Sequence, residues 1–149
     1  MSGDVSPLDV NTVQMGADEL NQFLVEAFGV ERAYLVTHVE PGRLLAAVPA
    51  AQVGLRPGGT VSGPTLMGLA DGAAYCLILA HIGPVALAVT SSLNITFLRK
   101  PQPTGIEAEA TFLKLGRKLA VVDVRLRSEE RPDLVAQAVV TYAIPTGAV

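Results

Sequence analysis

Hydrophobic positions change their period several times along the chain, and each change marks an element. From Ala17 to Phe28 (ADELNQFLVEAF), Leu20, Phe23, Leu24 and Ala27 recur at spacings of three and four, which predicts one apolar stripe on a short helix. Gly29 follows and is expected to end it. Two β-like runs, Arg32 to Glu40 and Arg43 to Pro49, flank Pro41-Gly42, a pair that predicts strand, turn, strand. Val53 to Gly59 (VGLRPGG) holds three glycines and a proline, and reads as a loop.

The run from Gly63 to Ile82 is apolar with few β-branched residues and much Ala and Leu, as a buried helix prefers. Ser62 is the expected N-cap, Pro64 fits the first turn, and Gly83-Pro84 ends the element. Beyond it, Val85 to Arg99, Ile106 to Leu115, Leu119 to Ser128 and Leu134 to Ile144 read as four strands of an antiparallel meander. Within the third, Val122, Val124 and Leu126 alternate with Asp123, Arg125 and Arg127, giving one buried and one wet face. A helix hydrophobic nearly all round needs cover on most sides, so the predicted class is α+β with the sheet wrapped around that helix.

A length of 149 residues bounds the chain to one domain spanning 1–149, with residues 1–16 expected as a flexible or extended N-terminal segment. Half the residues are apolar and 17% are charged, which points to extensive burial or a subunit interface and away from disorder. Net charge is −3 and the eleven Lys and Arg are scattered, so the footprint of a nucleic-acid binder is missing. Cys76 is the single cysteine and excludes an intrachain disulfide; no basic and apolar leader opens the chain, and the expected location is cytoplasmic. The segment Val61 to Thr90 is interrupted by Asp71, His81, four glycines and two prolines, which favours a core helix over a membrane span.

Between Arg56 and Arg99 the only Asp, Glu, Lys or Arg is Asp71, inside the apolar helix. A carboxylate there must be hydrogen-bonded, paired with a cation, or held at a cleft for acid–base work. It falls two turns beyond Gly63, where free backbone N–H groups begin the helix and an anion or developing oxyanion can sit. An oxyanion donor with a carboxylate in reach is what acyl-transfer hydrolysis requires. Ser62 lacks the Gly-x-Ser-x-Gly frame of a serine hydrolase. His81 reads as a helix C-terminal partner or core residue, and Cys76 as a small buried hydrophobe. Two His, one Cys and dispersed acids give no metal spacing, so no metal is expected.

The stretch RPGGTVSGPTLMGLADGAAYCLI (Arg56 to Ile78) resembles the signature of hotdog-fold acyl-CoA thioesterases of the phenylacetate-pathway type: Asn, a short loop, His-Gly-Gly, then Leu-Ala-Asp on the central helix. VTSSLNITFLRKP (Val89 to Pro101), GRKLAVVDVRL (Gly116 to Leu126) and LVAQAVVTY (Leu134 to Tyr142) are similar to later strands of the same family. The resemblance implies a hotdog fold and hydrolysis of an acyl-CoA thioester without a separate cofactor, CoA being part of the substrate. By that resemblance Asp71 is general base or nucleophile, the Gly63 N–H polarises the carbonyl, and Thr90 places the water or the carboxylate. The family's His is Ser62, its Asn is Arg56 and its second Gly is Pro64. Arg56 is therefore expected either to donate to the carbonyl or to pair with Asp71. The resemblance also implies dimers or tetramers with the site between subunits, and an acyl channel lined by Met67 and Tyr75. Arg99, Lys100, Arg117 and Lys118 are expected at strand ends as phosphate ligands for CoA. A non-catalytic acyl-CoA or acyl-carrier binding module is the competing expectation.

Overall fold

The computed structural model describes residues 9–28 and 34–146. Helix α1 (Ala17–Phe28) is followed by strands β1 (Leu35–Glu40) and β2 (Arg43–Val48), a 3-10 turn (Ala50–Gln52) and the two-residue strands β3 (Leu55–Arg56) and β4 (Thr60–Val61). Helix α2 (Gly63–Ile82) comes next, then β5 (Val89–Phe97), β6 (Ile106–Leu115), β7 (Leu119–Ser128) and β8 (Leu134–Ala143). Gly29 and Arg32, where a helix end and a strand start were expected, lie outside the described residues, as do residues 1–8.

Helix α2 forms where its end signals place it. The Ser62 side chain accepts from the Thr65 N–H at 3.3 Å, and Gly83, at φ 93°, donates its N–H to Leu79 O at 2.9 Å. By length and hydropathy α2 would suffice to cross a membrane, yet it runs through the core of the fold. From Leu69 to Ile82 every residue is buried except Asp71. Leu69, Leu77, Ile78 and Leu79 are fully buried, each stabilising the fold by about 1.5–3 kcal/mol.

The cover is a six-stranded antiparallel sheet in the order β1-β2-β6-β7-β8-β5. Its inner face is built from alternate residues, Ala108 and Ala110 of β6, Val122 and Val124 of β7, and Ala136, Ala138 and Val140 of β8. The small alanines let a thick apolar helix lie close to the strands.

Two expectations change. The meander is β6-β7-β8 alone, because β5 pairs with β8 and leaves its other edge free. The link 98–105 carries Pro101 and Pro103 and is too long and stiff for a hairpin, so the chain crosses from the sheet edge to its interior. The stretch expected to be loop also contains β3, which pairs with β4 just beyond it across a turn in which Gly58 and Gly59 take φ 96° and 74°.

Ahead of α1, Gln14 and Met15 donate backbone N–H groups to Ala80 O, and the Gln14 amide donates to His81 O. His81 itself is fully buried. Its Nε2 accepts the Gly42 N–H at 3.0 Å, so the proton sits on Nδ1, which donates to Leu77 O at 2.9 Å. This neutral ring pins the β1–β2 turn to α2 and takes no part in a catalytic cluster.

Candidate active site

Asp71 breaks the burial of α2 because its face opens on a cleft of about 410 Å³. The helix contributes Gly68, Gly72 and Tyr75 to the lining; Tyr34, Phe28, Ala86, Ala88, Val89, Thr90 and Tyr142 close it. Gly72 is required by its neighbour: a Cβ there would stand 2.4 Å from the Tyr34 ring. Tyr75 donates its hydroxyl to Ala86 O at 3.1 Å and packs edge-on to Phe28, with ring centroids 6.0 Å apart. Among the described residues the cleft therefore has aromatic walls around one acid, and no Lys, Arg or His lines it.

Strand pairing supplies the partners of that acid. Thr90 and Tyr142 stand opposite each other in the β5–β8 ladder. The Thr90 hydroxyl donates to Asp71 Oδ1 at 2.7 Å, and the Tyr142 hydroxyl donates to the same oxygen at 2.8 Å. Oδ2 accepts no hydrogen bond from the described residues. Burial pushes ionisation of the Tyr142 phenol well above its ordinary value; the Thr90 hydrogen bond opposes this and the Asp71 charge adds to it. Tyr142 is thus a donor at neutral pH.

The first turn of α2 faces a second cleft, of about 390 Å³, lined by Arg56, Thr60, Val61, Gly63, Leu66, Phe97, Arg99, Lys100 and Pro101. Among the described residues it holds three cations and no acid. The Gly63 N–H donates to nothing among the described residues. Gly63 and Asp71, expected within reach of each other, are eight residues apart, a rise of about 12 Å along one helix. One protomer does not bring them together.

The other expected site residues divide between these places. Thr90 and Tyr75 join Asp71; Arg56, Arg99 and Lys100 join Gly63. Arg56 makes no ion pair with Asp71, because the β3–β4 hairpin holds it at the Gly63 end. Ser62 caps α2 and bonds Thr65 Oγ1 at 2.9 Å. Met67 is exposed one turn before Asp71 and lines neither cleft. Arg117 and Lys118 sit in the β6–β7 turn, whereas Arg99 bonds Leu134 O at the start of β8. The ten-residue strand β7 separates the two pairs by roughly 30 Å, so within one protomer the four cations form no single patch. Arg131, not anticipated, lines a small hollow with Arg99 and Lys100. Tyr142 was also missed, although a polar-tipped ring on the apolar face of a strand signals a buried partner. Cys76 is buried, its Sγ 4.0 Å from the Tyr34 hydroxyl.

The family model described as the thioesterase superfamily matches residues 58–135. A Silicibacter sp. protein named as a thioesterase is 38% identical, with 91% of this chain and 95% of that one aligned at a TM-score of 0.83. A phenylacetic acid degradation-related protein of Ralstonia eutropha is 26% identical over 81% of this chain and 89% of that one, at a TM-score of 0.67. A Streptococcus pneumoniae protein solved with coenzyme A shares the fold at 19% identity and a TM-score of 0.68, over 85% of this chain and 96% of that one. No curated protein matches the chain.

Proposed function

Because the chain belongs to the thioesterase superfamily and has the hotdog arrangement of a central helix wrapped by an antiparallel sheet, we propose that it hydrolyses an acyl-CoA thioester at a site built from two copies. The observation that carries the proposal is Asp71: a carboxylate on an otherwise buried helix, with one oxygen held and the other open to a cleft. The Gly63 N–H of one copy meets the Asp71 cleft of the other. Strand β5 offers the means, being an edge strand with Val89 and Phe97 exposed along it and Leu98 just beyond.

The acyl group lies between Tyr75, Tyr34 and Phe28, and the thioester carbonyl accepts from the Gly63 N–H, whose hydrogen bond tightens as the oxygen gains charge. Asp71 Oδ2 then removes a proton from water, or attacks the carbonyl carbon itself. In the first route that water adds to the carbonyl carbon; in either route the C–S bond breaks and the CoA thiolate leaves to take up a proton, and in the second route a water then hydrolyses the acyl–Asp71 anhydride to release the acid and restore the carboxylate. Arg99 and Lys100, beside the Gly63 cleft, hold phosphate oxygens of CoA. A protein of the same fold solved with coenzyme A supports this choice of leaving group. Arg117 and Lys118 contribute only as the partner's residues on that path. A single buried thiol is in keeping with the reducing cytoplasm.

The test is thiol release over short-chain, medium-chain and aryl-CoA esters. Turnover abolished by Asp71→Asn supports the proposal; CoA-ester binding with no thiol release assigns the chain to the binding modules instead.

A further inference from the structure

An ionised carboxylate oxygen has two in-plane acceptor positions. At Asp71 Oδ1 both are taken, by hydroxyls that the β5–β8 register sets opposite each other. We propose that Tyr142 is a positioning residue for the hydrolysis proposed above: together with Thr90 it locks Oδ1 and leaves Oδ2 as the single oxygen that reacts. The inference rests on the thioesterase reading and adds to it which oxygen acts and what selects it.

The geometry favours this over a phenol merely finding a buried acceptor. Tyr142 is 3% exposed, and its ring lies 5.8 Å from that of Tyr75, so the hydroxyl has one direction available. That hydroxyl also approaches Asp71 O at 3.2 Å, which references the carboxylate to the helix backbone as well as to the sheet. Satisfying the phenol needs only that carbonyl; the shorter contact, at 2.8 Å, goes to the side chain. Among the described residues the other titratable groups facing the acid are Tyr75 of α2 and Tyr34 just before β1, and neither carries positive charge. The raised ionisation of Tyr142 keeps it protonated over the working range.

The experiment compares wild type, Tyr142→Phe, Asp71→Asn and the double variant on one CoA ester that the wild type hydrolyses. Tyr142→Phe is expected to lower kcat about 10- to 100-fold, the scale of one hydrogen bond to a charged group, with KM within about twofold. In the Asp71→Asn background the same change has little further effect, because Tyr142 acts through Asp71. A Tyr142→Phe enzyme with unchanged kcat, or a double variant losing the full factor again, overturns the inference while leaving the thioesterase reading intact. Absence of thiol release from wild type overturns that reading, and the inference with it.

Discussion

The two clefts at α2 are opposites. Among the described residues, one has an acid held by two hydroxyls, aromatic walls and no cation; the other has three cations, a helix N–H with no acceptor, an apolar floor and no acid. Each lacks what the other supplies for acyl transfer, and about 12 Å of helix keeps them apart. On the proposed reading a protomer carries two half-sites, and the chemistry belongs to their meeting across a pair of copies.

The sharpest way to break this contrast is to remove the acid. Asp71→Asn keeps shape and hydrogen-bond capacity but cannot accept a proton, and kcat is expected to fall about 1000-fold with ester binding retained, measured by thiol release and by calorimetry. On the other side, Gly63→Pro removes the N–H alone. Ser62 is already extended at ψ 155°, as a residue before proline must be, and a Cβ at position 63 meets Phe97 at an ordinary 3.5 Å. The expected loss in kcat is about 100-fold, with helix content unchanged by circular dichroism.

Binding should sort the same way with smaller effects. Arg99→Ala with Lys100→Ala is expected to raise KM about tenfold and leave kcat within twofold, while acyl-pantetheine, which lacks the nucleotide phosphates, shows no such change. An equal change with both esters would remove the cationic cleft from CoA recognition. The smallest effect is in stability against alkali. Tyr142 ionises higher in the folded chain than in the unfolded one, so its contribution is fully present below about pH 10 and is lost as pH rises beyond. Tyr142→Phe should flatten that part of the alkaline decline in urea midpoints; an unchanged slope would contradict the burial account.

Much of this was legible where local rules are strong. Helices 17–28 and 63–82 and strands 106–115 and 119–128 lie where period and end signals put them. Asp71 was conspicuous as the one charge between Arg56 and Arg99. What escaped was decided by pairing at a distance. That β5 joins β8 is a tertiary choice, and only that choice sets Thr90 opposite Tyr142, so the second donor to Asp71 had no local signature. The β3–β4 hairpin is too short to show a period. The separation of Gly63 from Asp71 was implicit in their spacing on one helix, and the expectation that they act together holds only if a second copy supplies one of them.

Mixing two dead variants tests that most directly. Asp71→Asn and Gly63→Pro, unfolded together and refolded at equal amounts, form mixed pairs in which one of two sites has an intact acid from one copy and an intact N–H from the other. Activity should return to about one quarter of wild type, since about half the pairs are mixed and half their sites are whole. A mixture that forms mixed pairs and remains as inactive as its parents would contradict a site shared between copies.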